Sequence, residues 1–189
     1  MWNIIGFIAI LLTPSLCFGD AGEIGSFSGS GVLERGRNVI DGGEGIGVQP
    51  MDTAVTAKGR MRIDFVDETR VDITEHARLV IDDFVYDPNA GTGKLGLRAT
   101  LGTIRYASGA IAKNSRRNVS IKTPSATIGV LGTDFVMVVD EAGGTMVTLL
   151  PSCSIDQLGK TNCVTGEISV ESDTGFVIMN KAFQATIIK

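Results

Sequence analysis

The chain has 189 residues, 43% hydrophobic and 20% charged, with 17 Lys and Arg against 21 Asp and Glu. That length suits one domain with a real core, and a formal charge of −4 leaves no basic footprint for nucleic acid. One His and three Cys offer little for a metal centre or a nucleophilic triad, while 24 Gly and 6% aromatics favour many short strands over helical bundles.

Residues 1–19 carry no charged side chain, and Ile4 to Leu12 is continuously apolar. Pro14 breaks the run, and a small residue, Gly19, precedes Asp20, which is the pattern of a secretory signal. The run is short for a membrane span, which needs about 20 apolar residues. Because no Lys or Arg precedes it, an uncleaved N-terminal anchor stays open as the alternative. Pro14, three residues before Cys17, argues against a lipoprotein. Export would leave Cys153 and Cys163 as an even pair, hence a disulfide. The polar segment between them follows Pro151 and reads as a loop whose neck the bridge closes, contributing about 2–3 kcal/mol.

In the mature chain the two-residue period recurs. Met61, Ile63 and Phe65 alternate with Arg60, Arg62 and Asp64; Asp67-Glu68-Thr69 supplies a turn; Val71 and Ile73 resume the apolar face. Leu79 and Ile81 continue it, and the doublet Asp82-Asp83 shifts the phase as a bulge would, so that Phe84 and Tyr86 carry on. Leu95 and Leu97, Ile104 and Tyr106, and Val119 and Ile121 repeat the pattern. Phe135 to Val139 is an unbroken apolar run, expected for a strand covered on both faces. Met146 to Leu150, Glu167 to Val170 and Phe176 to Met179 complete the series. Pro50, Pro88, Pro124 and Pro151 all fall between strands; no capped helix with a helical apolar period follows residue 20, and the alternative is a few short helices among the loops, with Ser108 to Lys113 the best place for one.

Two stretches resemble the FecR domain family. Met51 to Thr69 is similar to its opening, a strand leading into a second strand, an acidic turn and another strand. The run Thr123-Pro124-Ser125-Ala126-Thr127-Ile128-Gly129-Val130-Leu131-Gly132-Thr133-Asp134-Phe135 resembles the family signature T-P-x-A-x-x-G-V-R-G-T-x-F. The matching positions are Thr123, Pro124, Ala126, Gly129, Val130, Gly132, Thr133 and Phe135. Leu131 stands where the family often has Arg. Gly31 to Gly36 is similar to the family's first small strand and turn, so the likeness spans about residues 24–140. Physically, Pro124 stops ladder pairing, and Gly129 and Gly132 permit a kink that carries the chain to another layer. The hydroxyls of Thr127 and Thr133 could satisfy the freed backbone groups, with Phe135 anchoring the next strand.

Other candidate chemistry is sparse. His76 falls in a turn, without a second His or a Gly-x-Ser-x-Gly elbow to make a triad. Gly91 to Gly96 fits a dinucleotide fingerprint by letter, yet it runs into a strand and reads as a hairpin loop. Asp64, Asp67, Asp72, Asp82, Asp83 and Asp87 form the densest acidic region. Most alternate with apolar residues, as on a solvated sheet face, and no calcium-loop spacing is present. Arg116-Arg117 reads as a solvated basic turn.

The sequence therefore implies residues 1–19 as signal and one all-β domain over 20–189. Its expected form is a β-sandwich, or a β-roll or solenoid-like stack of short antiparallel strands, with a disulfide loop in the C-terminal part, 141–189. Its expected place is periplasmic or extracellular. What the resemblance implies is a non-enzymatic binding module for an envelope protein or glycan, linked to cell-surface signalling. FecR-family regulators place this domain in the periplasm and use a separate cytoplasmic segment on a sigma factor. Export from residue 1 would leave no such segment here, so no direct sigma-factor contact is expected. No cofactor, metal or nucleic acid is expected, and a homo-oligomer is left open. The alternatives are a carbohydrate-active or calcium-dependent protein using Asp64 to Asp87, and a structural component of a surface assembly.

Overall fold

The computed structural model describes residues 19–113, 117–156 and 159–189. The expected signal, apart from Gly19, and Arg116 of the basic turn lie outside the described residues. Strands are numbered in chain order. One sheet has the order β4 (Gly47–Val48), β1 (Gly22–Ser28), β6 (Arg60–Phe65), β7 (Arg70–Ile73), the second half of β9 (Thr92–Ala107), β12 (Asp134–Val139), β13 (Thr145–Leu150) and β18 (Ala185–Ile188). The other runs β3 (Asn38–Asp41), β2 (Gly31–Arg35), β5 (Thr53–Thr56), β8 (Arg78–Asp87), the first half of β9, β10 (Val119–Lys122), β11 (Thr127–Leu131), β16 (Glu167–Ser172) and β17 (Gly175–Met179). A separate hairpin pairs β14 (Ser152–Ile155) with β15 (Thr161–Val164).

The two sheets face each other across one core. Ile63, Val71, Ile104, Phe135 and Leu149 enter it from the first sheet, and Leu79, Ile81, Leu97, Ile121 and Ile168 from the second; all are fully buried. Phe65 of β6 stacks on Phe84 of β8, with ring centroids 5.6 Å apart. The expected sandwich is thus what forms, because each alternating strand has one apolar face to bury and a second sheet is the surface that buries it. The register shift between Ile81 and Asp83 is the bulge that the acidic doublet signals.

Three details differ from expectation. β9 and β10 pair in parallel, because the segment after β9 crosses back from the first sheet to the second, through the short 3-10 helix Ile111–Lys113. β12 is buried on one face and half-buried on the other, since only neighbouring side chains cover Val136 and Val138. β1, β3 and β4 precede Pro50, where no strand had clear alternation, and Gly and Ser dilute the apolar signal in Gly22–Ser28.

β9 is 16 residues long and belongs to both sheets. It pairs with β8 up to Leu101 and with β12 from Gly102 onward. Gly102 has φ 91°, so the switch between sheets falls on a left-handed residue. A Cβ there would lie 2.4 Å from Ala77 Cβ. Gly132, φ 57°, makes the second switch, from β11 to β12, and a Cβ there would meet nothing within 4 Å. Gly132→Ala is therefore expected to cost about 1–2 kcal/mol from backbone strain alone. Gly102→Ala, which adds a collision with Ala77, should cost clearly more; urea unfolding of both variants checks the order.

Candidate functional site

The signature run is the corner at which the chain leaves the second sheet. Thr123 closes the turn after β10: its N–H donates to Ala126 O at 2.8 Å, and its Oγ1 accepts the Ala126 N–H at 3.0 Å. Buried Thr145 donates to Thr123 Oγ1 at 2.8 Å, and Ser125 donates to Thr145 at 2.9 Å. Ala126 and Val130 are buried, and Gly129 is a strand position of β11 opposite Ser120 and Ser169. The left-handed bend falls on Gly132 alone of the two glycines named. Thr133, fully buried, donates its N–H to Ser108 Oγ at 2.9 Å and its hydroxyl to Leu150 O at 3.3 Å, and it accepts from Gly166 N. Thr133 thus does what its hydroxyl suggests. Thr127 stands on the outer face opposite Lys122 and Glu171, and Thr123 satisfies the turn in its place. Phe135 is buried and stacks on Tyr106 at 5.3 Å.

Tyr106 lies fully buried with its hydroxyl against Thr69 and Ser108, without a well-formed hydrogen bond. Burial pushes its pKa well above the ordinary phenol value, and nearby Asp67 and Asp134 push the same way. An unfolded tyrosine ionises near pH 10, so the native state holds a proton that the unfolded chain releases. Stability is therefore lost as pH rises above about 10, and Tyr106→Phe should flatten that loss by up to about 1.4 kcal/mol per pH unit. Denaturant titrations of both proteins between neutral and alkaline pH measure it.

The acidic region is not one site. On the first sheet's outer face Arg62 Nε meets Asp72 Oδ1 at 2.6 Å, Asp72 lies 4.0 Å from Arg105, and Arg105 meets Asp134 at 3.2 Å. Arg70 holds Asp64 at 2.8 Å. On the other sheet Arg78 holds Glu34, Lys94 holds Asp83, and Arg98 holds Asp82. The guanidiniums of Arg70 and Arg98 are held above their usual range by hydrogen bonds to Asp64 and Asp82. Asp87 caps its own turn by accepting from Asn89 N at 2.9 Å.

Two carboxylates are buried, Asp52 and Asp67, and of these Asp67 belongs to the region expected on a solvated face. Asp67 accepts from Thr69 N, Thr69 Oγ1 and Ile111 N at 3.1, 2.8 and 3.2 Å, pinning the β6–β7 turn onto the crossover. Asp52 is fully buried and takes both Nε and Nη2 of Arg35, at 2.9 and 2.7 Å, with Gln49 N at 2.7 Å. The Arg35 pKa rises accordingly, chiefly through the Asp52 hydrogen bond. Asp67 lies within the β6–β7 turn and Asp52 follows a left-handed Met51; only the tertiary partners distinguish them from surface acids.

His76 is exposed in the turn between β7 and β8, with φ 52°. Gly91 is a turn residue with φ 61°, and Thr92 to Gly96 run inside β9, so the glycine-rich stretch has no helix to cradle a phosphate. Among the described residues no group of His, Cys, Asp and Glu is arranged to hold a metal ion. No helix among them is long and apolar enough to cross a membrane.

What the surface offers instead is shape and apolar area. Cys153 and Cys163 are bonded across β14–β15, so the expected loop is itself a stapled hairpin. Apart from half-buried Ser152, both strands are exposed, with Ile155 74% and Val164 68% accessible. A cleft of about 650 Å³ is floored by Thr123, Pro124 and Ala126 and rimmed by Glu171 and Asp173.

The signature run is an architectural corner of the sandwich, and the surface charges around it are largely paired. The sequence profile of the FecR protein family matches residues 52–152, over half of the chain, and the chain belongs to that family. The match begins at buried Asp52 and ends where β14 starts, so β1 to β4 precede it. Two crystal structures of a candidate anti-sigma factor from Parabacteroides distasonis ATCC 8503 are similar to it. They share 13% and 12% identity with TM-scores of 0.37 and 0.41, each over 69% of this chain. This chain spans 59% of the length of those proteins. No curated protein matches it.

Because Asp64, Asp67, Asp72, Asp82 and Asp83 each already have a cation or backbone donors, millimolar calcium or chelator is expected to leave the melting temperature unchanged. A calcium-dependent rise in differential scanning calorimetry would contradict this pairing.

Proposed function

We propose that this FecR-family chain is an exported, non-enzymatic interaction module that takes a protein of the cell envelope as its partner. The observation that carries the reading is the stapled hairpin β14–β15. It forms its own two-stranded sheet, is closed by Cys153–Cys163, and presents Ile155 and Val164 to solvent. An isolated two-stranded ribbon is marginal in water, and closing its ten-residue separation lowers its unfolded entropy by about 2–3 kcal/mol. A pre-ordered ribbon loses little further entropy on binding, which is what a recognition element needs. Family membership supports a place in cell-surface signalling. The disulfide supports an oxidising compartment outside the cytosol.

An envelope glycan is the second reading, favoured by the hydroxyl- and carboxylate-lined cleft beside Thr123. Among the described residues lining that cleft none is aromatic, so it offers no ring face for a sugar to stack on; protein is therefore the partner proposed first.

A photo-crosslinking residue at Ile155 is expected to give one discrete protein adduct in intact envelopes, and the same probe at Val39 none. Cys153→Ser with Cys163→Ser should lower the adduct yield severalfold while the sandwich melts as before, since the hairpin pairs with no other strand. Equal adducts at both positions, or capture only by glycan fragments, would reject the protein reading.

A further inference from the structure

β17 is the outermost strand of the second sheet, and its free edge has none of the usual guards against strand pairing. Gly175-Phe176-Val177-Ile178-Met179 has no charge and no Pro, and Phe176 is 60% exposed with Val177 and Ile178 partly so. The opposite edge of the same sheet, β3, is four residues long and ends on Asp41.

The orientation of the free groups follows from the hairpin. β16 and β17 are joined by two residues, Asp173 and Thr174, with Ser172 opposite Gly175. Residues flanking a two-residue loop exchange both backbone bonds, and such pairs alternate along the ladder. Gly175, Val177 and Met179 therefore turn their N–H and C=O toward β16. Those of Phe176 and Ile178 face the open edge.

We infer that β17 pairs antiparallel with β17 of a second copy, about a two-fold axis at Val177. That axis overlaps the full length of both strands. It sets Phe176 opposite Ile178 of the second copy, the bonded pair that their outward groups require, and places Val177 opposite itself as the non-bonded pair. Met179 is buried, so Phe176 and Ile178 share the outer face, and the junction gathers both copies of each into one apolar cluster. Val177 meets its counterpart beside the groove of about 550 Å³ that separates β17 from β18, lined by Val170, Ile187 and Ile188. The charges fit the same axis. Asp173, in the turn entering β17, comes opposite Lys181, in the turn leaving it, once on each side. Both are exposed, and neither forms an ion pair among the described residues. The junction uses no residue of the contact hairpin and stands independently of the partner assigned there.

Sedimentation equilibrium of the purified protein over a hundredfold concentration range, up to about 1 mM, is expected to show a monomer–dimer equilibrium. Ile178→Pro removes an N–H that faces the open edge and leaves the β16 ladder whole. Asp173→Lys or Lys181→Asp alone sets like charges opposite each other. Each of the three should raise the dissociation constant by roughly tenfold. Asp173→Lys combined with Lys181→Asp should return it to within about threefold of the original. Independently of these, Val177→Cys is expected to oxidise to a covalent dimer, because the pair on the axis sits at disulfide distance, whereas Ile187→Cys on β18 stays monomeric. A monomer at every concentration, a dimer indifferent to Ile178→Pro, a double reversal that fails to regain affinity, or cross-linking at Ile187→Cys in place of Val177→Cys would each overturn the inference.

Discussion

The sandwich depends on left-handed turns of the backbone where the chain changes sheets, and Gly102 and Gly132 carry two of them. β9 belongs to both layers because Gly102 lets it bend between its pairing with β8 and its pairing with β12. Gly132 lets the chain leave β11 in one layer and enter β12 in the other. Tyr106 and Phe135, paired across β9 and β12, then stack in the core between the layers. Without these bends the same alternating strands would extend one flat sheet with an uncovered apolar face. The family signature is accordingly a corner first, with its hydroxyls at Thr123 and Thr133 satisfying the backbone groups that the corner frees.

The outer faces carry a second constraint. Arg62, Asp72, Arg105 and Asp134 form a row across four strands, and comparable pairs cross the other sheet. Exposed pairs of this kind add little stability individually. Opposite charges placed across neighbouring strands do favour one register over its slips. The acids are thereby engaged in holding the scaffold, and the stapled hairpin and the neutral edge of β17 lie outside that network of pairs.

Much of this was legible in the chain. Met61-Ile63-Phe65 and Leu79-Ile81 showed their inner faces, Asp82-Asp83 showed the bulge, and Cys153 and Cys163 showed the bridge. Gly102 did not stand out, since one glycine among many gives no sign of its φ. Asp67 looked like a turn acid and Asp52 like one more strand-end residue, and nothing local distinguishes a buried carboxylate from a solvated one. β1 was overlooked because Gly and Ser make up four of its seven residues and leave Ile24 and Phe27 as its apolar markers, out of the two-residue period.

Sequence alone determined which face of each strand turns inward, because the two-residue period is a local property of extended backbone. It determined the hairpin staple for a similar reason, the two cysteines lying only ten residues apart. Tertiary structure decided which charges meet, where the chain changes layers, and which strands are left without a neighbour. Arg78 finds Glu34 across 44 positions, and such long-range pairings are set by how whole sheets stack rather than by any stretch of neighbouring residues.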